Sequence, residues 1–230
     1  MTLLSPREVL QSDVVANSTM NRGRRLTGVN SYERDLGMSP LAWLRSRSKQ
    51  NGRAAWYDAC CGEGIALREA RVALASTPGG DCITTLGVDL IGQIAQVPNE
   101  YVVVGDVSTF NPGYAVDIIT CVHGLHYVAD KLAILCHFYS LLAPEGQIVA
   151  NLDLMNIIVD DQPIAKWTAF TKLIAEPKPT ATFKNHVLTL TKGSECSLTF
   201  GLRFVGASIS TEPNYSGITV VNSCYSSTDL

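Results

Sequence analysis

Three acids stand where apolar runs end. Asp58 falls near the close of AAWYDA (54–59), Asp89 near the close of CITTLGVDL (82–90) and Asp106 at the close of YVVVGD (101–106). Asp58 leads into Ala59-Cys60-Cys61-Gly62-Glu63-Gly64, where Gly62 and Gly64 have no side chain to keep a ligand away from the main chain. Asp89 lies 27 positions beyond Gly62, and a carboxylate there can accept hydrogen bonds from both hydroxyls of a ribose. Asp106 can accept from an exocyclic amine. Any one of these acids can instead cap a helix, but three in order after apolar runs are hard to explain as caps. A fourth apolar run, AVDIITCV (115–122), is followed by His123 and His126. Imidazole suits proton removal near neutral pH, so both are candidate bases. A two-histidine metal site is the other reading; no carboxylates stand at suitable spacing, and no metal is expected. Asn151 and Asp153 can orient an acceptor, act as base or simply be solvated, and His137 and His186 read as ordinary helix and strand residues.

These residues need a scaffold that brings strand ends together. Short apolar runs alternate with helical stretches from residue 54 onward. Strands are expected over 54–59, 82–90, 101–106, 115–122 and 147–154, with helices over 65–75, 91–97 and 130–142. Such alternation means a mostly parallel sheet covered on both faces, with ligands at the carboxyl ends of its strands beside the topological switch point. Before it, Ser5-Pro6 and Ser39-Pro40 look like N-caps followed by proline in the first turn, opening helices over 5–20 and 39–49. After it, a helix is expected over 162–174, and then strands over 186–193, 197–206 and 216–225, with Lys192-Gly193-Ser194 as a hairpin turn. The chain divides into an N-terminal helical segment (1–53), a ligand-binding core (54–155) and a C-terminal helix with antiparallel strands (156–230) that completes the same domain.

Two nucleotide sites compete for the glycine loop. The dinucleotide fingerprint asks for a third glycine three places after Gly64, where this chain has Leu67, and a pyrophosphate would not welcome Asp58. Asp58 suits a ligand that carries an ammonium group and a positive sulfur. Here the chain resembles the class I S-adenosylmethionine-dependent methyltransferases over about residues 50–155. Asp58 through Gly64 is similar to that family's acid-x-Gly-x-Gly-x-Gly loop, with Cys60 in place of the first glycine. Val88-Asp89 is similar to its ribose-binding strand end, and Gly105-Asp106-Val107 to its adenine-contacting turn. The stretches 117–127 and 141–147 resemble its fourth strand with a Leu-His-aromatic segment and the turn into its fifth strand.

The resemblance implies a doubly wound, Rossmann-like α/β fold of seven mostly parallel strands, the last ones antiparallel, under an N-terminal helical lid. It implies S-adenosylmethionine as methyl donor, with S-adenosylhomocysteine as product. Asp58, Ala59, Cys60, Gly62, Gly64, Asp89, Leu90, Gly105, Asp106, Val107, Cys121 and Val122 are the expected donor-binding residues. In the lid, Arg25, Asn30 and Tyr32 are candidates for the methionine carboxylate, Arg25 by a bidentate pair.

Composition narrows the function further. Apolar residues make up 46% and charged residues 17% of the 230, which excludes a disordered chain. The net charge of -3 argues against a protein given over to gripping phosphate backbones. The charge is uneven: residues 1–53 carry nine Lys/Arg against four Asp/Glu, and the remainder nine against seventeen. The basic segment is either a solvated face or a cover for an anionic group. Seven cysteines without a Cys-x-x-Cys pair, and no basic-headed apolar leader, point to reduced thiols in a cytoplasm. No apolar run is long enough for a membrane span. Tyr127, Trp167, Phe170 and Phe183 suggest an apolar, aromatic acceptor pocket. The expected function is therefore methylation of oxygen or nitrogen on a small organic molecule, such as a secondary metabolite. A nucleic-acid methyltransferase and a non-catalytic donor-binding protein are the alternatives.

Overall fold

Strand β1 (Ala54–Ala59) is buried at every position. Its side chains alternate: Ala55, Tyr57 and Ala59 enter one apolar cluster, and Ala54 and Trp56 enter another. A strand that is apolar on both faces belongs in the middle of a parallel sheet. β1 lies there, between β2 (Ile83–Asp89) and β4 (Val116–Cys121). In the computed structural model, which describes residues 3–16, 23–90, 101–175, 178–193 and 197–227, β3 (Val102–Val104), β5 (Leu142–Asn151), β8 (Thr180–Lys184) and β9 (Val187–Thr191) complete a seven-stranded sheet in the order β3-β2-β1-β4-β5-β9-β8. The first five strands in that order are parallel, β9 is antiparallel to β5, and β8 is antiparallel to β9. The chain moves outward from β1 to β3 and then returns to β4. The crevice at the carboxyl ends of β1 and β4 is therefore the switch point.

Helices cover both faces, and their starts are written in the sequence. Ser5 and Glu8 form a reciprocal capping box on α1 (Pro6–Leu10). Ser39 caps α4 (Pro40–Asn51), and Asp130 caps α6 (Lys131–Leu141). The amphipathic α5 (Ile65–Ala75) starts from Gly64, held at φ 68°. The stretch expected as one helix over 5–20 is instead α1 and α2 (Asp13–Ala16), as far as residue 16. The helix expected over 91–97 lies outside the described residues.

The C-terminal third departs most from expectation. Positive φ at Asn185 and His186 makes the tight turn of a β8–β9 hairpin. A hairpin thus sits before β9, and the turn expected at Lys192-Gly193-Ser194 lies partly outside the described residues. Positive φ at Asp160 and Asp161 folds β6 (Ile157–Val159) onto β7 (Gln162–Pro163). Consequently the helix expected from Gln162 begins only at Trp167, as α7 (Trp167–Leu173). The last two strands, β10 (Arg203–Ile209) and β11 (Val221–Ser226), leave the main sheet and build a second one, β10-β11-β6-β7. Residue Leu4 bridges to Ala207 of that sheet with backbone bonds of 2.7 and 2.9 Å, which draws α1 and α2 over the switch point.

Candidate active site

The residues after β1 form the floor of the site. Cys60 takes φ 57° and Gly62 φ 58°, and the Gly62 N–H donates to Asp89 Oδ2 at 2.8 Å. The acid at the end of β2 thus clamps the loop at the end of β1. The next step along the sheet is fixed in the same way, with Gly105 N–H donating to the Asp89 carbonyl at 2.9 Å. Asp106 then closes a turn by accepting from Ser108 N–H at 2.8 Å. From β4 comes His123, at φ 58°. Non-glycine residues in this left-handed region cost about 1–3 kcal/mol each, and Cys60 and His123 are both found there. Between them Gly124 leaves no spare room: a Cβ on it would lie 2.4 Å from Cys60 Cβ and 2.8 Å from Cys121 Sγ.

Above this floor lies a cavity of about 330 Å³. Cys60, Gly62, Asp89, Leu90, Asp106 and Val107, which the sequence reading expects as donor-binding residues, line it, together with His123, expected as a base. Its roof and far wall come from residues that reading did not select. Pro6, Leu10 and Val15 of the N-terminal helices cover it, and Gly124, Val128, Ala129, Asp130, Ala133 and Ile134 close its side. The alternation of Pro6, Val9, Leu10, Val14 and Val15 with polar residues was the signal for the roof. Asp89, Asp106 and Asp130 put three carboxylates around the space, and no Lys or Arg is among the described residues lining it. That donor set fits a cation with hydroxyls and an amine. It does not fit a polyphosphate.

Other expected residues sit behind the wall or away from it. Ala59, Cys121 and Val122 are buried beneath the floor. Asp58 is fully buried, accepting from Thr120 Oγ1 at 2.6 Å and from Tyr32 Oη at 2.8 Å. Burial pushes its carboxyl up to about 7, against the pull of those two hydroxyls, and the Asp89 charge adds to the rise. Desolvating a carboxylate costs several kcal/mol, whereas each such hydrogen bond returns about 1.5–3 kcal/mol, so the net rise is expected. Tyr32, the first residue of α3 (Tyr32–Leu36), is thus a partner of Asp58. Arg25 is turned outward, its side chain 70% exposed, with Nε donating to Glu69 at 2.6 Å. Asn30 accepts from Arg24 at 2.8 Å. Neither reaches the cavity, because each is held by a closer polar partner. Two more arginines of the lid are held in the same way. Arg24 pairs with Asp35, and Arg47 pairs with Asp117 and Glu145 at 3.0 Å.

The histidines form a chain. His123 Nε2 lies 3.7 Å from Asp35 Oδ2, and His123 Nδ1 lies 3.3 Å from His126 Nε2. Asn151 ties them to the lid, accepting from His123 N–H at 3.3 Å and donating to the Asp35 carbonyl at 3.2 Å. His126 is fully buried, which holds its imidazole well below the ordinary range and so neutral; His123 and Lys131 add to this. Tyr215 meets His126 edge-on and stacks on His186, ring centroids 3.7 Å apart. His186, read as an ordinary strand residue, thus belongs to this cluster. Of the aromatic set expected for the acceptor, Tyr127 lines the cavity. Trp167 stacks on Phe170 and Phe183 as part of the core. No cluster able to hold a metal ion is found among the described residues, nor is any helix there long and apolar enough to cross a membrane.

A family model described as a methyltransferase domain matches residues 36–172. No curated protein matches the sequence. Among solved structures, the chain is similar to the N-methyltransferase NodS from Bradyrhizobium japonicum WM9, at 13% identity over 67% of this chain and 94% of that one, TM-score 0.39. It is similar to the plantazolicin methyltransferase BpumL in complex with a triazolic desmethylPZN analog and SAH, at 12% identity over 63% and 51%, TM-score 0.40. It is also similar to StiE O-MT residues 961–1257, at 10% identity over 68% and 75%, TM-score 0.45. The chain spans about half the length of the BpumL structures it matches.

Proposed function

The chain belongs to the methyltransferase-domain family, whose members use S-adenosylmethionine as methyl donor, and from that premise we propose that its acceptor is a small organic molecule methylated on oxygen or nitrogen. One observation carries the reading. The cavity is roofed by Pro6, Leu10 and Val15, walled by apolar side chains, and bordered by carboxylates, with no lysine or arginine among the described residues that line it. A nucleic-acid acceptor calls for cations along its phosphates, and three arginines of the N-terminal segment, Arg24, Arg25 and Arg47, are instead paired with carboxylates of this chain.

In this reading Asp89 accepts from the ribose hydroxyls while it holds the Gly62 loop, and Asp106 accepts from the adenine amine. Leu90 and Val107 supply apolar surface to the base. Asp58, fixed between Tyr32 and Thr120, places negative charge beneath the ammonium end. When bound, the donor brings a methyl carbon on a positively charged sulfur and its own leaving group. The protein's task is then to align the acceptor atom with that carbon, and to take a proton where the acceptor must lose one. His123 and His126 stand at the end of β4 for that purpose.

Transfer of labelled methyl from S-adenosylmethionine, measured against a panel of small phenols and amines and against bulk RNA, tests the assignment. Transfer to a small acceptor is expected. Tighter, salt-sensitive binding and methylation of RNA would reverse it.

A further inference from the structure

The histidine chain has an end without a partner. His126 Nδ1 is buried, and among the described residues no hydrogen bond reaches it. An orphaned buried nitrogen is costly, and a ligand group can supply the missing bond. The tautomers follow from the other end. Asp35 Oδ2, 3.7 Å from His123 Nε2, favours a proton on that nitrogen. His123 Nδ1 then carries a lone pair, so the 3.3 Å contact with His126 Nε2 must be made by a proton on the latter. That leaves His126 Nδ1 as a bare lone pair.

We propose that Asp35, His123 and His126 form a proton relay in which His126 Nδ1 takes the proton of a hydroxyl acceptor, with Asp35 as the residue that fixes the tautomers. The inference rests on the methyltransferase reading above and names its acceptor class. The acceptor O–H bond breaks and its proton binds His126 Nδ1. The new O–CH3 bond forms as the sulfonium C–S bond breaks, and that electron pair stays on sulfur. The His126 Nε2 proton passes to His123 Nδ1. The positive charge thereby ends on His123, facing the Asp35 carboxylate, while His126 returns to the neutral state.

Two features support the relay. Buried beside Lys131 and His186, His126 alone is a weak base; transfer of the charge toward Asp35 removes that handicap. Asp35 is itself fixed by Arg24 and through its carbonyl by Asn151, so the carboxylate is held in place. His126 is fully buried and the cavity is lined by His123 rather than by it, so the relay requires Tyr215, 40% exposed and edge-on to His126, to give way to the acceptor.

Nitrogen-detected NMR of the imidazoles in the full chain reads the tautomers directly. Expected are an unprotonated His126 Nδ1, protonated His126 Nε2 and His123 Nε2, and a mixture of tautomers in Asp35→Asn. A proton on His126 Nδ1 in the parent protein overturns the relay. Turnover on a panel of substituted phenols supplies the second readout. Asp35→Asn should lower kcat by roughly tenfold or more, with S-adenosylhomocysteine affinity unchanged by calorimetry. A protein that binds S-adenosylhomocysteine but methylates no phenol, or an Asp35→Asn variant with full kcat, also overturns the relay. Failure to bind S-adenosylhomocysteine overturns the donor reading instead.

Discussion

The Asp89 carboxylate accepts a hydrogen bond from the backbone N–H of Gly62 at 2.8 Å, so the acid that faces the ligand also holds the loop on which the ligand rests. Removing it does two things at once. Asp89→Ala is expected to weaken S-adenosylmethionine binding about tenfold to a hundredfold, or roughly 1.4–3 kcal/mol. Asp89→Asn keeps an acceptor for Gly62 but not the charge, and should fall between. Calorimetric titration of the two variants, alongside a circular dichroism check of the fold, separates the effects. Equal affinity in all three proteins would remove Asp89 from the ribose.

Gly124 makes a sharper demand. A methyl group there has no space, since its carbon would stand 2.4 Å from Cys60 Cβ and 2.7 Å from Cys60 Sγ. Gly124→Ala must push the Cys60 loop toward the cavity or pry β4 away from β1. Overpacking of this kind costs about 1–3 kcal/mol. A lower urea midpoint together with weaker S-adenosylhomocysteine binding is the expected result. An unchanged midpoint would show that the loop yields freely.

The central strands and the acids at their ends are legible in the sequence because β1 and β4 are apolar on both faces and end in polar or small residues. The caps at Ser5, Ser39 and Asp130 are legible for a local reason, a side-chain oxygen within three residues of an orphan N–H. What lies beyond Asn156 is different. The Asp160-Asp161 and Asn185-His186 turns need two consecutive positive φ values, and neither pair contains a glycine to announce it. The pairing of β6 with β11 joins residues more than sixty positions apart, which no local pattern encodes. The same limit applies to the site. Asp89 and Asp106 follow strand ends, but the links Tyr32–Asp58 and Asp35–His123 depend on where α3 lands.

The outer arginine is a test of that lesson. Arg25 suits a carboxylate clamp by residue type, yet it is 70% exposed and paired with Glu69. An exposed ion pair contributes about 0–1 kcal/mol. Arg25→Ala should therefore leave donor affinity within about twofold and stability nearly unchanged. Glu69→Ala should cost more, because Glu69 Oε2 also accepts from Leu26 N–H at 2.8 Å and ties the lid loop to α5. Thermal melts and donor titrations on the two variants give the comparison. A large loss of affinity in Arg25→Ala would return that residue to the donor site.

Asp58 gives the chain a pH signature. Its carboxyl is raised from 3.8 to about 7 by burial, so between these values the folded state holds a proton that the unfolded state has released. Stability from this group is full below about pH 4 and is lost as pH rises toward 7. Replacing it with asparagine removes the ionisation while keeping an oxygen for Tyr32 or Thr120. The difference in unfolding free energy, Asp58→Asn minus parent, should therefore move in favour of the variant between pH 5 and pH 8. Urea titrations of both proteins at the two values measure it. A bound ammonium group would favour the ionised carboxylate, so S-adenosylmethionine should shrink the effect. A difference that does not change with pH would mean that Asp58 keeps an ordinary carboxylate pKa in the fold.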